Sequence, residues 1–149
     1  MKHVFFLTLL CVTLSLVSCA PSVSSNPEIA RIDSAVVVAK NTHRQVLCQM
    51  GGDWCKWCRL LNQEIASDTV LSQFIDEFFI YIHVTYNGKD DPQSQALNDR
   101  LQDAARFGFP VWVILNQHGN IVHIQNTAYL ESGFGYDHQR LLDCLNDWK

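Results

Sequence analysis

The chain has 149 residues, 48% of them apolar and 17% charged, with a formal net charge of −4. That is the size and make-up of one ordinary globular domain, and it excludes collagen, coiled coil and intrinsic disorder. With 11 Lys and Arg against 15 Asp and Glu, and no basic run, the sequence offers no electrostatic footprint for a nucleic-acid partner.

The first residues read as an address rather than as fold. Met1-Lys2-His3 precedes an apolar run over 4–17, giving the positive start and short apolar core of a secretory signal. The run is too short to be a comfortable membrane-spanning helix. It closes on Leu16-Val17-Ser18-Cys19-Ala20, which resembles the bacterial lipoprotein signal. The resemblance implies a signal peptide over 1–18 and lipidation of Cys19; an ordinary signal cut near Ser18 or Ala20 is the plainer alternative. Ala20 in place of Asp resembles the sorting pattern of Gram-negative outer-membrane lipoproteins. Several acyl chains on Cys19 would anchor the protein stably, since one chain binds only marginally. The polar, Pro-flanked stretch that follows has nothing to pack and reads as a tether. The expected division is a signal over 1–18, a lipidated tether over 19–27 and a folded domain over 28–149, facing an oxidising, periplasmic compartment.

Asn26-Pro27-Glu28 supplies an N-cap, a first-turn proline and a first-turn acid, so a helix is expected over 27–41 with Ile29, Ile32, Val36 and Ala39 on its buried face. Val36-Val37-Val38 taken alone suggests a strand instead. A short buried strand is expected over 44–50, broken by Gly51-Gly52-Asp53. Helical spacing of Cys58, Leu61 and Ile65 places a helix over 55–65, and Asp68 caps another that carries Val70, Leu71, Phe74 and Ile75. A β-branched and aromatic strand follows over 78–86, then an exposed loop over 87–94 and a helix over 94–107. The runs over 110–115 and 120–125, joined by Asn116-Gln117-His118-Gly119, have hairpin chemistry. After a Gly- and aromatic-rich loop, Asp137 caps a last helix bearing Leu141, Cys144, Leu145 and Trp148. This order implies an α/β fold in which a mixed sheet is covered on both faces.

Of six cysteines, Cys11 belongs to the signal and Cys19 to the anchor, leaving Cys48, Cys55, Cys58 and Cys144. Trp54-Cys55-Lys56-Trp57-Cys58 stands where a strand, a glycine turn and a helix meet. Two cysteines so spaced at a first helical turn can close a disulfide. The upstream sulfur then lies against unsatisfied N–H groups and the positive end of the helix dipole, which favour its thiolate. Lys56 adds a positive charge. A stabilised thiolate is both a nucleophile and a leaving group, the basis of thiol–disulfide exchange. Half of a zinc site and a structural disulfide are the competing readings, although Cys48 and Cys144 do not form a second ligand pair. The five remaining histidines, His43, His83, His118, His123 and His138, have no ligand spacing, so no metal site and no cofactor are expected. A copper(I) carrier using the same dithiol is the binding-protein alternative, and an adaptor lipoprotein with an idle dithiol is a third.

Around this dithiol the sequence resembles the thioredoxin superfamily, and more closely a Trp-Cys-x-Trp-Cys subgroup that includes the C-terminal domain of a disulfide-reducing transmembrane electron carrier. The resemblance spans about residues 33–146. It rests on Ala39-Lys40, Val46-Leu47, Trp54 to Cys58, His83-Val84-Thr85-Tyr86-Asn87, the segment from Gly108-Phe109-Pro110 through Leu115, and His118-Gly119-Asn120. It implies a thioredoxin fold, Cys55 as nucleophile, Cys58 as resolving thiol, and a cis Pro110 beside Phe109, whose backbone would meet an extended substrate segment. Trp54, Lys56 and Trp57 join these as candidate substrate contacts, with helix packing an equal reading for Trp57. Protein substrates with disulfides or thiols, and a membrane electron donor, are the implied partners. Six residues before the first active cysteine many relatives carry a buried acid; here that residue is Gln49, which cannot take a proton, so deprotonation of Cys58 would need water or another group, with Glu64 and His83 as candidates. In the family geometry Gln49 faces the active-site helix, so Cys48 faces the opposite layer. No bridge between Cys48 and Cys144 is then expected, and both would be buried small hydrophobes.

Overall fold

The computed structural model describes residues 25–149; the expected signal, Cys11 and Cys19 lie outside them. Helix α1 (Pro27–Thr42) starts where expected, because Asn26 accepts hydrogen bonds from the backbone N–H groups of Glu28 and Ile29, and it ends at His43 in the left-handed region. The valine run is helical. Val36 packs on the core while Val37 and Val38 stay exposed, so capping and the buried stripe of Ile32, Ala35 and Ala39 outweigh local strand propensity.

Strand β1 (Gln45–Gly51) is followed by α2 (Lys56–Ser67) and α3 (Thr69–Phe78), and the chain returns as β2 (Phe79–Thr85), parallel to β1. Gly51 therefore ends the strand rather than breaking it, and Phe78 ends a helix rather than opening a strand. Helix α4 (Pro92–Arg100) begins earlier than the expected 94, since Asp91 caps it by accepting from the N–H of Ser94 and Pro92 suits its first turn.

The helix expected to run to 107 stops short. Gln102 and Asp103 adopt left-handed conformations, and the chain re-enters a 3-10 turn at Ala104–Phe107. Asn98 enforces this break: its amide donates to Asp103 Oδ1 at 2.8 Å and its carbonyl accepts from the N–H of Ala105 at 2.9 Å. These bonds offset the roughly 1–2 kcal/mol that each left-handed non-glycine residue costs.

Strands β3 (Val111–Leu115) and β4 (Ile121–Asn126) form the expected hairpin, and β3 pairs antiparallel with β1. The sheet order is β2-β1-β3-β4. The Gly- and aromatic-rich loop has structure of its own: a 3-10 turn at Thr127–Leu130 and a small hairpin of β5 (Glu131–Ser132) and β6 (Gly135–Tyr136), before α5 (His138–Asn146) closes the chain.

Strand parity divides the core into two layers. Val46, Cys48 and Met50 of β1, with Val111, Val113 and Leu115 of β3, pack under α1 and α4. Leu47, with Trp112 and Ile114, packs under α2, α3 and α5 through Leu61, Ile65, Leu71, Ile75, Leu141 and Leu145. The result is an α/β sandwich with the mixed sheet in the middle, and β1 is paired on both sides at its centre.

Candidate active site

The site lies at the C-terminal end of β1, where the chain leaves the sheet and starts α2. Cys55 is the N-cap of α2, in extended conformation, with its sulfur accepting from the N–H of Cys58 at 3.1 Å. It is bridged to Cys58 by a disulfide. The turn between strand and helix is held by backbone bonds from Cys55 N–H to the Gly52 carbonyl at 3.0 Å and from Tyr86 N–H to the Gly51 carbonyl at 2.7 Å. The Arg59 guanidinium also bonds the Asp53 carbonyl. A sulfur at this helix start receives one of the helix's free N–H groups and the positive end of its dipole, which favours a thiolate once the bridge opens.

Both cysteines are shielded, at 6% and 4% exposure for Cys55 and Cys58. What distinguishes them is environment rather than depth. Cys58 lines a small polar cleft shared with Gln49, Asp53, Arg59, Asn62 and His83. Gly51 lets it sit there, because a Cβ at that position would run into Cys58 Sγ.

Aromatic rings frame the turn. The Trp54 indole donates to the Tyr86 carbonyl at 3.1 Å and meets the Phe109 ring edge-on at 5.3 Å, while Phe109 stacks on Tyr86 at 5.0 Å. Trp54 stays 57% exposed, leaving an apolar face beside the disulfide. The Phe109–Pro110 peptide is cis, as the resemblance implied. Pro110 is buried, and its carbonyl accepts from Thr127 Oγ1 at 2.5 Å. Gly108 precedes it at φ 81° and ψ −166°, a conformation open in practice to glycine alone. The fold thus brings Trp54, Cys55, Cys58 and Phe109 together. Lys56 is exposed on the first turn. Trp57 turns elsewhere: it packs edge-on against Tyr136 at 5.9 Å, and Tyr136 Oη donates to its carbonyl at 3.4 Å. Its ring belongs to the α2 layer of the core, which favours the packing reading.

Gln49 sits under α2 at 2% exposure. Its carbonyl oxygen accepts from Tyr81 Oη at 2.6 Å and Trp112 Nε1 at 3.3 Å, and its amide donates to Asn62 Oδ1 at 2.7 Å. Burial raises the Tyr81 pKa, so this phenol keeps its proton. Tyr81 and Asn62 are residues the sequence reading missed. The available signal was spacing: Tyr81 has the parity of His83 on β2, and Asn62 stands four residues after Cys58 on α2. Of the two proton-acceptor candidates, His83 lines the cleft, whereas Glu64 is not among its walls.

Among the described residues the other two thiols, Cys48 and Cys144, form no disulfide, as parity implied. Cys48 is wholly buried, and burial, with Glu28 adding to it, pushes its pKa up to about 12. Cys144 is only partly buried, a correction to the expected core position, and its pKa is raised to about 11, chiefly by desolvation. Trp148, expected on the same helical stripe, instead lies in the turn beyond the end of α5 at Asn146, where it is half-buried and stacks on His123 at 4.4 Å.

Comparison with known proteins agrees with this geometry. No curated protein matches the sequence. Among solved structures the chain is similar to a disulphide isomerase from Xylella fastidiosa Temecula1, with a TM-score of 0.67, 19% identity, and coverage of 85% of this chain and 95% of that one. It is also similar to a thioredoxin from Thermus thermophilus, with a TM-score of 0.55, 21% identity, and coverage of 77% and 81%. These likenesses establish the thioredoxin fold. The family model Thioredox_DsbH, whose description reads protein of unknown function (DUF255), matches residues 29–148. With the Cys55–Cys58 disulfide seated at the start of α2, the chain belongs to this thioredoxin-like family and is a thiol–disulfide oxidoreductase.

Proposed function

We propose that this protein exchanges disulfides with protein substrates in the cell envelope, tethered to a bacterial membrane through lipid on Cys19. In this reading residues 1–18 are a signal peptide, 19–27 a tether whose last two residues already cap and open α1, and 28–149 the rest of the redox domain. The carrying observation is the Cys55–Cys58 disulfide at the N-terminus of α2, with the exposed Trp54 face and Phe109 beside it. Cys55, favoured as thiolate by the helix start, attacks a substrate disulfide. The bond formed is Cys55–substrate, and the second substrate sulfur leaves as a thiolate. Cys58 then attacks Cys55 Sγ, restores the intramolecular bridge and releases the first substrate sulfur. Substrate gains two electrons and the dithiol loses two, so a reductase would need recharging by a membrane electron donor; run backwards, the same steps oxidise a substrate dithiol. Trp54, Phe109 and the backbone around Pro110 are the substrate-facing groups, and Lys56 adds positive charge at the rim.

A Cys58→Ala variant tests the reading. Stripped of its resolving thiol, it should retain partners as mixed disulfides on Cys55 that dissolve in dithiothreitol, and Cys55→Ala should retain none. Absence of mixed disulfides together with tight stoichiometric copper(I) binding would point to a metal carrier instead.

A further inference from the structure

The resolving step needs a base, because Cys58 must lose a proton before it can attack, and Gln49, a neutral amide, takes none. Its carbonyl accepts from Tyr81 and Trp112, and Tyr81 holds its own proton tightly. Resting on the oxidoreductase reading above, we propose that His83 accepts the proton of Cys58 when the mixed disulfide on Cys55 is resolved and returns it when the bridge is opened.

Register and parity place the imidazole there. His83 pairs with Gln49 across β1 and β2, and alternate residues of β2, Phe79 and Tyr81, pack on the α2 side of the sheet. His83 and Cys58 line the same cleft. β2 is an edge strand, so the imidazole stands at the rim, in reach of solvent that can carry the proton away. The groups around it are few. From its own strand Tyr81 lies ring to ring at 4.7 Å. From α1, the Arg31 guanidinium bonds the His83 carbonyl at 2.9 Å and the Glu28 carboxylate accepts from the N–H of Thr85 at 3.1 Å. From the turn and α2 come Asp53, Arg59 and Cys58 itself. Among these types an imidazole is the one that takes up and gives back a proton close to neutrality. Desolvation first, then Arg31, hold the His83 pKa below its ordinary 6.5, so at neutral pH the ring is uncharged and ready to accept.

In the resolving step the Cys58 S–H proton passes to the imidazole, the Cys58 thiolate attacks Cys55 Sγ, the Cys55–Cys58 bond forms, and the Cys55–substrate bond breaks. The substrate sulfur departs with the electron pair. The imidazolium then gives its proton to solvent or to the departing thiolate.

The test uses the full chain, reduced, mixed with oxidised glutathione, acid-quenched at intervals and peptide-mapped for the glutathione adduct on Cys55. In the wild type the adduct is transient, and its decay slows as pH falls through a midpoint below 6.5. His83→Gln should form the adduct at the wild-type rate, resolve it about tenfold or more slowly at neutral pH, and lose that acidic limb. His83→Ala should behave alike and recover most of its rate with imidazole in the buffer, while the wild type does not respond. Unchanged adduct decay in His83→Gln, or slower decay with the same acidic limb and no rescue by imidazole, would overturn the proposal. A wild type that never forms the adduct would sink the oxidoreductase reading instead.

Discussion

At the scale of single residues, much of the site depends on polar groups that are buried and fully bonded. Gln49 joins β1, β2, β3 and α2 through Tyr81, Trp112 and Asn62. Gln49→Ala would leave the Tyr81 hydroxyl and Trp112 N–H buried without acceptors, at about 1–3 kcal/mol each. Urea titration should therefore show a clear fall in midpoint, larger than for Gln125→Ala on the edge strand. Gly51 makes a different demand: Gly51→Ala should lower the melting temperature of the oxidised protein more than that of the reduced one, because the new methyl meets a sulfur fixed by the bridge. The thiols should separate cleanly under iodoacetamide. Cys48, buried and with a pKa near 12, should stay unmodified in the folded, reduced protein at pH 8, Cys144 should react slowly, and Cys55 should react first. At this scale the dithiol was legible in the residues themselves, and the cis proline and the glutamine in place of an acid only through the resemblance to the thioredoxin superfamily. The partners of Gln49 were not, because cross-strand contacts follow from register, and no local pattern states which residue of β2 lies beside which residue of β1.

Elements behaved as their caps and stripes dictate, and the misreadings have local causes. Helix α1 overrode three valines because its cap and buried face were both strong. Asn26 also ties this start to α4, donating to the Gln93 carbonyl at 2.7 Å. Asn26→Ala should cost about 1–2 kcal/mol in a denaturant series, with Asn26→Ser recovering part of it. The break at 102–103 was missed because Asn98 acts through its side chain on residues five and seven positions later; helical periodicity continues across that point without sign of it. The junction of α2 and α3 carries a pH dependence. Asp68 caps α3 and pairs with His138 at the start of α5. Its pKa is lowered from 3.8, first by the N–H of Leu71 and further by His138 and the N–H of Val70, against a smaller desolvation effect. A depressed carboxylate contributes its stabilisation in full above the unfolded value and loses it as pH falls through the folded one. Melting temperature should accordingly decline more steeply in acid for the wild type than for Asp68→Asn, and the two curves should run parallel above pH about 5.

Taken whole, the molecule is a sheet whose two faces have different duties. Alternation along β1 sends Cys48 into the α1 layer and Gln49 under α2, so one face carries inert packing and the other carries chemistry. That division was readable from parity once the sheet was identified, whereas the β5–β6 hairpin that receives Trp57 was not, since its two-residue strands are too short to leave a periodic signal. The envelope assignment rests on the first 27 residues and is tested apart from the redox chemistry: Cys19→Ala should abolish incorporation of labelled palmitate and shift the protein from the membrane to the soluble fraction. Everything proposed for the site requires Cys55 and Cys58 to be a reversible redox couple. Its most direct test is equilibration of the protein in thiol–disulfide buffers of graded potential, followed by acid quench, alkylation and mass measurement of the two sites. One two-electron transition, shared by Cys55 and Cys58, is expected within the range of roughly −270 to −120 mV spanned by thioredoxin-like exchangers. A bridge that stays closed in every buffer down to about −300 mV would mark a structural disulfide and contradict it.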